Sequence, residues 1–100
     1  MKTYIGEFIK HVSNGYRITL QPDNKPFVIR FDEIVYYEVW MEYIWFVVNH
    51  NSEVSNIVMS RNEKYPIQVE REYLRKMCPN IVAPDTNFDL YEIIHRNMDV

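Results

Sequence analysis

One hundred residues, forty-seven of them apolar and twenty-five charged, fit one domain (1–100) and leave no room for a second. Fifteen aromatic residues and a net charge of only −3 exclude a disordered chain, and the longest apolar run, the six residues Tyr43 to Val48, excludes a bilayer-spanning helix. The first residues lack the apolar stretch of a leader peptide, and the single cysteine, Cys78, offers no disulfide framework, so a reducing, cytoplasmic location is expected.

Eleven valines and eleven isoleucines stand against three leucines and one alanine. β-Branched and aromatic side chains fit a pleated surface and lose rotamer freedom in a helix, so an all-helical bundle is excluded. The chain also holds forty-three residues of Phe, Tyr, Met, Ile, Asn and Lys against fourteen of Gly, Ala, Arg and Pro. AT-rich codons supply the first set, which points to a bacterial, phage or mobile-element gene.

In chain order, Tyr4, Ile5, Phe8, Ile9 and Val12 fit a helical stripe, while Asn14-Gly15 is a hairpin signal. The hairpin is preferred because Gly6 weakens a short helix and Tyr16 to Leu20 alternates as a half-buried strand. A turn over Pro22 to Pro26 leads to a third strand, Phe27 to Phe31. From Ile34 onward the odd positions Val35, Tyr37, Val39, Met41 and Tyr43 are apolar and read as the core face, opposite Ile34, Tyr36, Glu38, Trp40 and Glu42. A bend is expected near Met41 and Glu42, because an unbroken strand to Val48 exceeds the usual length. Tyr43 to Val48, apolar on both faces, reads as a central strand, followed by a loop and a shorter strand over Ser55 to Ser60. A helix over Asp32 to Val48 is the competing reading, though it is apolar nearly all round and rich in poor helix formers. Val69, Tyr73, Leu74 and Met77 recur at helical spacing, with acids early, basic residues late and Pro79 as the stop. A last helix is expected after Asp85, carrying Phe88, Tyr91, Ile94 and Met98.

The chemistry-bearing motifs are few. His11, His50 and His95 lie at no metal-ligand spacing with one another or with Cys78, so no metal and no cofactor is expected. With only Gly6 and Gly15 there is no phosphate-cradling loop. The carboxylate pairs Asp32 with Glu33 and Glu38 with Glu42 read more readily as solvated acids than as acid–base catalysts. Charge is segregated: +3 over 1–30, −5 over 31–60 with no Lys or Arg, +2 over 61–77 and −3 over 78–100. Seven of the fifteen aromatic residues lie between Phe31 and Phe46, in the acidic block and away from the cations that a nucleic-acid platform needs beside them. The phrase Phe31 to Glu38, with Ile94 to Asn97, resembles the first strand and closing segment of LytTR-type DNA-binding domains. The separation is longer than that family shows and the charge is acidic, so no residue's role is carried over.

These observations predict an α+β domain: a twisted antiparallel sheet or small open barrel of about five strands, followed by one or two C-terminal helices. The expected function is non-enzymatic protein binding, as a phage or mobile-element inhibitor or regulator of a host protein. Tyr36, Glu38, Trp40 and Glu42 would form its acidic aromatic surface, facing a partner with a basic surface. The bland alternative is that Tyr36 and Trp40 pack as a second core layer. The competing function is nucleic-acid binding by a basic strip of Arg61, Lys64, Arg71, Arg75 and Lys76. A homodimer is also expected, because fifteen aromatics exceed what one small core buries, with its seam on an apolar sheet face or strand edge near Tyr43 to Val48.

Overall fold

The computed structural model describes residues 1–61 and 67–81. Lys64 and the helix expected after Asp85 lie outside them. Among the described residues six strands form one sheet: β1 (Lys2–Val12), β2 (Gly15–Leu20), β3 (Lys25–Arg30), β4 (Ile34–Val39), β5 (Tyr43–His50) and β6 (Glu53–Ser60). A 3₁₀ turn, Phe31–Glu33, links β3 to β4, and one helix, α1 (Ile67–Met77), follows the sheet. The strand order is β3-β2-β1-β6-β5-β4. Two antiparallel meanders therefore lie side by side, joined where β1 runs parallel to β6 from Lys2↔Ser55 to Gly6↔Met59. The expectation of a twisted antiparallel sheet or small open barrel of about five strands is corrected to an open sheet of six described strands, mixed because β1 and β6 are parallel. The parallel pair was hidden because it joins strands fifty residues apart, with no local turn to announce it.

Two bulges explain where alternation misled. In β1 the register shifts between Phe8 and Lys10. Tyr4, Gly6 and Phe8 face the core before the shift and His11 after it, where its ring meets Phe8 and Tyr16 at 5.4 and 4.9 Å. This mixture of periods is what imitated a helical stripe. In β4 the shift between Ile34 and Tyr36 puts Ile34 in the core and Val35 on the outer face. Tyr37 and Val39 face inward as expected, whereas Met41, 84% exposed, sits in the turn and belongs to no core.

The inner face carries the main core, including Tyr16, Ile18, Ile29, Phe31, Phe46, Val48 and Ile57, and Leu74 and Cys78 pack on it from α1 and just beyond. β5 is buried on both faces: Ile44, Phe46 and Val48 look inward, while Trp45 and Val47 form a second cluster outward with Val35, Tyr36 and Val58. Trp45 Nε1 donates to Asn56 Oδ1 at 3.0 Å, and Asn56 Nδ2 donates to Thr3 Oγ1 at 3.3 Å, so a polar relay crosses three strands. Since β4 and β6 flank β5, the Tyr43 to Val48 segment offers no edge for a homodimer seam.

The glycine of Asn14-Gly15 serves close approach rather than turn conformation. Ser13 and Asn14 make the turn, Gly15 pairs with Val12 and Arg30, and no glycine has positive φ. A Cβ on Gly15 would stand 1.9 Å from the Ile29 carbonyl oxygen. Left-handed residues are used instead in the β2–β3 turn, by Asn24 (φ 52°), and in the β5–β6 turn, by Asn51 (φ 52°) and Ser52 (φ 65°).

Candidate functional site

Two concavities among the described residues bear on function. The smaller, about 140 Å³, has a floor of Leu20, Phe27, Val48 and Ile57 and a rim that includes Lys25, His50 and Glu53. His50 is held there by Glu33, whose carboxylate lies 3.0 and 3.2 Å from Nδ1, and its ring meets Phe27 edge-on. The sequence reading missed this pair because seventeen residues separate its members.

The larger is a groove of about 330 Å³ between β4 and α1, lined by Tyr37, Glu38, Val39, Trp40, Arg71 and Arg75. Its architecture begins with strand parity. Tyr36 and Glu38, two apart on β4, share the outer face, and Trp40 follows them into the turn. Tyr36 Oη donates to Glu38 Oε1 and Trp40 Nε1 donates to Glu38 Oε2, both at 2.7 Å. One carboxylate thus holds an aromatic side chain on each oxygen. Burial, the bond to Glu38 and that carboxylate's charge push the Tyr36 phenol up to about 12, which keeps it a donor.

The Trp40 ring also packs on Tyr43, 4.5 Å between centroids at 51°. Its backbone is fixed by Trp40 N donating to Tyr43 O at 2.9 Å and Arg61 Nη1 donating to Trp40 O at 2.7 Å. Trp40 is half-buried and lies outside the second cluster, which Tyr36 joins against Trp45. Glu42 lies exposed at the turn, where its carbonyl accepts from Arg61 N at 2.9 Å. The structure therefore unites Tyr36, Glu38 and Trp40 and leaves Glu42 exposed in the turn, outside the groove lining.

The other wall comes from α1. Arg71 Nη2 donates to Val39 O at 2.8 Å, and Arg75, one turn later, lines the same groove. Residues assigned by sequence to two rival functions meet in one place, because α1, seated on the core through Leu74, also packs against β4. Of the other members of the basic strip, Lys64 lies outside the described residues, and Arg61 and Lys76 do not line the groove. Arg61 is turned inward, its guanidinium 3.0 Å from Glu70 with side chains only 5% and 4% exposed. Lys76 is exposed but does not line the groove.

Glu70 is the buried carboxyl that helical spacing did not flag, sitting at the head of the stripe that continues through Leu74. Burial raises it to about 7, and Arg61 pulls it only partly back. Burial also pushes the Cys78 thiol up to about 11, so little thiolate exists at neutral pH. Among the described residues no three His, Cys, Asp or Glu side chains gather to hold a metal ion, and no helix is long and apolar enough to cross a membrane. The groove offers aromatic surface, two guanidinium groups and one carboxylate already hydrogen-bonded on both oxygens, a set suited to recognition. No protein-family model, curated protein or solved structure matches the chain.

Proposed function

We propose that the chain is a non-enzymatic protein-binding module, a cytoplasmic inhibitor or regulator of a host protein of the kind phage and mobile elements carry, with Trp40 as its anchor. The supporting observation is the clamp: the Trp40 indole is fixed by Glu38 and Tyr43 before any partner arrives. Preorganised aromatic anchors lose little freedom on binding and dominate interface energies. Tyr36 supports the anchor through Glu38, and Glu42, exposed in the turn, steers toward a basic surface on the partner.

The test separates anchor from steering. Trp40→Ala is expected to weaken partner binding by ~2 kcal/mol or more while changing the melting temperature little. Glu42→Lys is expected to slow association at low salt and leave dissociation nearly unchanged. Glu38→Lys is a poorer steering probe, since it also releases Trp40 and Tyr36. Unfolding by Trp40→Ala would make Trp40 a core residue and end this reading. Retention on nucleic acid that depends on Arg71, Arg75 and Lys76 would replace it with the basic-strip alternative.

A further inference from the structure

β4 is an edge strand, paired among the described residues with β5 alone. Trp40 N bonds Tyr43 O, so the ladder bonds to β5 fall to residues 40, 38 and 36. The backbone N–H and C=O groups of Tyr37 and Val39 accordingly point away from β5, toward the groove. The bond from Arg71 Nη2 to Val39 O at 2.8 Å confirms that direction.

Arg71 and Arg75 stand over this edge, both exposed. Arg75 has no ion-pair partner among the described residues, and Arg71 keeps donors beyond the one given to Val39. Guanidinium groups recognise carboxylates through paired N–H bonds. The spacing also matches a strand: four residues of helix rise about 6 Å and two residues of strand about 6.7 Å. Acidic residues two apart on an added strand would each meet one arginine. The groove's own carboxylate, Glu38, has both oxygens occupied.

We propose that the β4 edge takes an extended acidic segment of the partner protein as an added strand, its alternate carboxylates on Arg71 and Arg75 and an apolar side chain against Trp40. This rests on the protein-binding reading above and names the segment that reading leaves open; the basic surface that meets Glu42 lies outside the segment. Main-chain bonds to Tyr37 would supply affinity, and the arginines would set which side chains are accepted.

The test is a titration of the full ¹⁵N-labelled chain with three probes: a blocked heptapeptide alternating valine with glutamate, its lysine counterpart, and hexathymidylate. The glutamate peptide is expected to shift the amide signals of Tyr37 to Trp40 saturably, and Arg75→Glu to weaken it at least tenfold with other signals unmoved. The lysine peptide should leave those signals in place. Equal response to both peptides, absence of saturable shifts up to millimolar peptide, or indifference to Arg75→Glu would overturn the proposal. Tighter binding of hexathymidylate at the same amides would also overturn it, in favour of nucleic acid. Binding of the lysine peptide that is lost in Trp40→Ala and kept in Arg75→Glu would overturn the acidic strand alone and leave the protein-binding reading standing.

Discussion

Glu70 should make this protein less stable as the solution becomes more alkaline, through the range where most proteins change little. Its carboxyl rises to about 7 in the fold from an ordinary 4.5, with burial as the larger cause and Arg61 opposing it. The folded chain therefore holds the proton more tightly than the unfolded chain. The contribution is complete below pH 4.5 and is lost as pH rises through 7. A pKa difference of that size corresponds to roughly 3 kcal/mol overall, most of it lost between pH 5 and pH 8. For a domain of this length that is a fall in melting temperature of roughly 10 to 20 °C. Thermal and urea unfolding of the wild type and of Glu70→Gln at pH 5, 6, 7 and 8 measures it. The amide keeps the shape of the carboxyl but has no proton to lose, so its profile should be much flatter. An equally steep profile in Glu70→Gln, or a wild type that gains stability from pH 5 to pH 8, would refute the reasoning.

Gly15→Ala should cost about 3 kcal/mol or more in urea unfolding, because the new methyl would lie 1.9 Å from the Ile29 carbonyl oxygen and only backbone movement relieves it. Gly6→Ala should cost less, about 1 to 2 kcal/mol, since its nearest neighbours, Met59 Cγ, Ile18 Cδ1 and Ile57 Cγ2 at 3.0 to 3.2 Å, are side-chain rather than backbone atoms and need to give by only a few tenths of an ångström. Trp45→Phe should destabilise by about 2 kcal/mol in the same assay, because it leaves the fully buried Asn56 Oδ1 without its donor. We further expect a homodimer in sedimentation equilibrium at micromolar concentration, seated on the exposed outer residues Ile5 and Ile9 of β1 and abolished by Ile5→Lys; a monomer mass throughout that range would remove the claim.

Much of the sheet was legible from local signals. The strand-rich composition, the hairpin signal at Asn14-Gly15, a turn expected over Pro22 to Pro26 and found at 21–24 with Lys25 and Pro26 already in β3, the bend at Met41 and Glu42, and the two-sided burial of Tyr43 to Val48 all rest on neighbours in sequence. The helix ending before Pro79 was likewise visible in its stripe and charge order. What escaped was non-local or broke periodicity. The parallel β1–β6 pair has no turn, and the bulges after Phe8 and Ile34 each reverse parity, which placed Val35 on the wrong face and hid Ile34. At the candidate site, parity alone put Tyr36, Glu38 and Trp40 on one surface. It could not show that Glu38 is consumed within that surface, nor that α1 would set Arg71 and Arg75 beside Trp40 while burying Arg61 against Glu70.

The most direct test of the recognition role is affinity capture from the source cell with the wild type, Trp40→Ala and the triple variant Arg71→Ala, Arg75→Ala, Lys76→Ala, each with and without nuclease. The account predicts a defined protein retained by the wild type, unaffected by nuclease and lost in Trp40→Ala at an unchanged melting temperature. Recovery of nucleic acid that persists in Trp40→Ala and vanishes in the triple variant would contradict it.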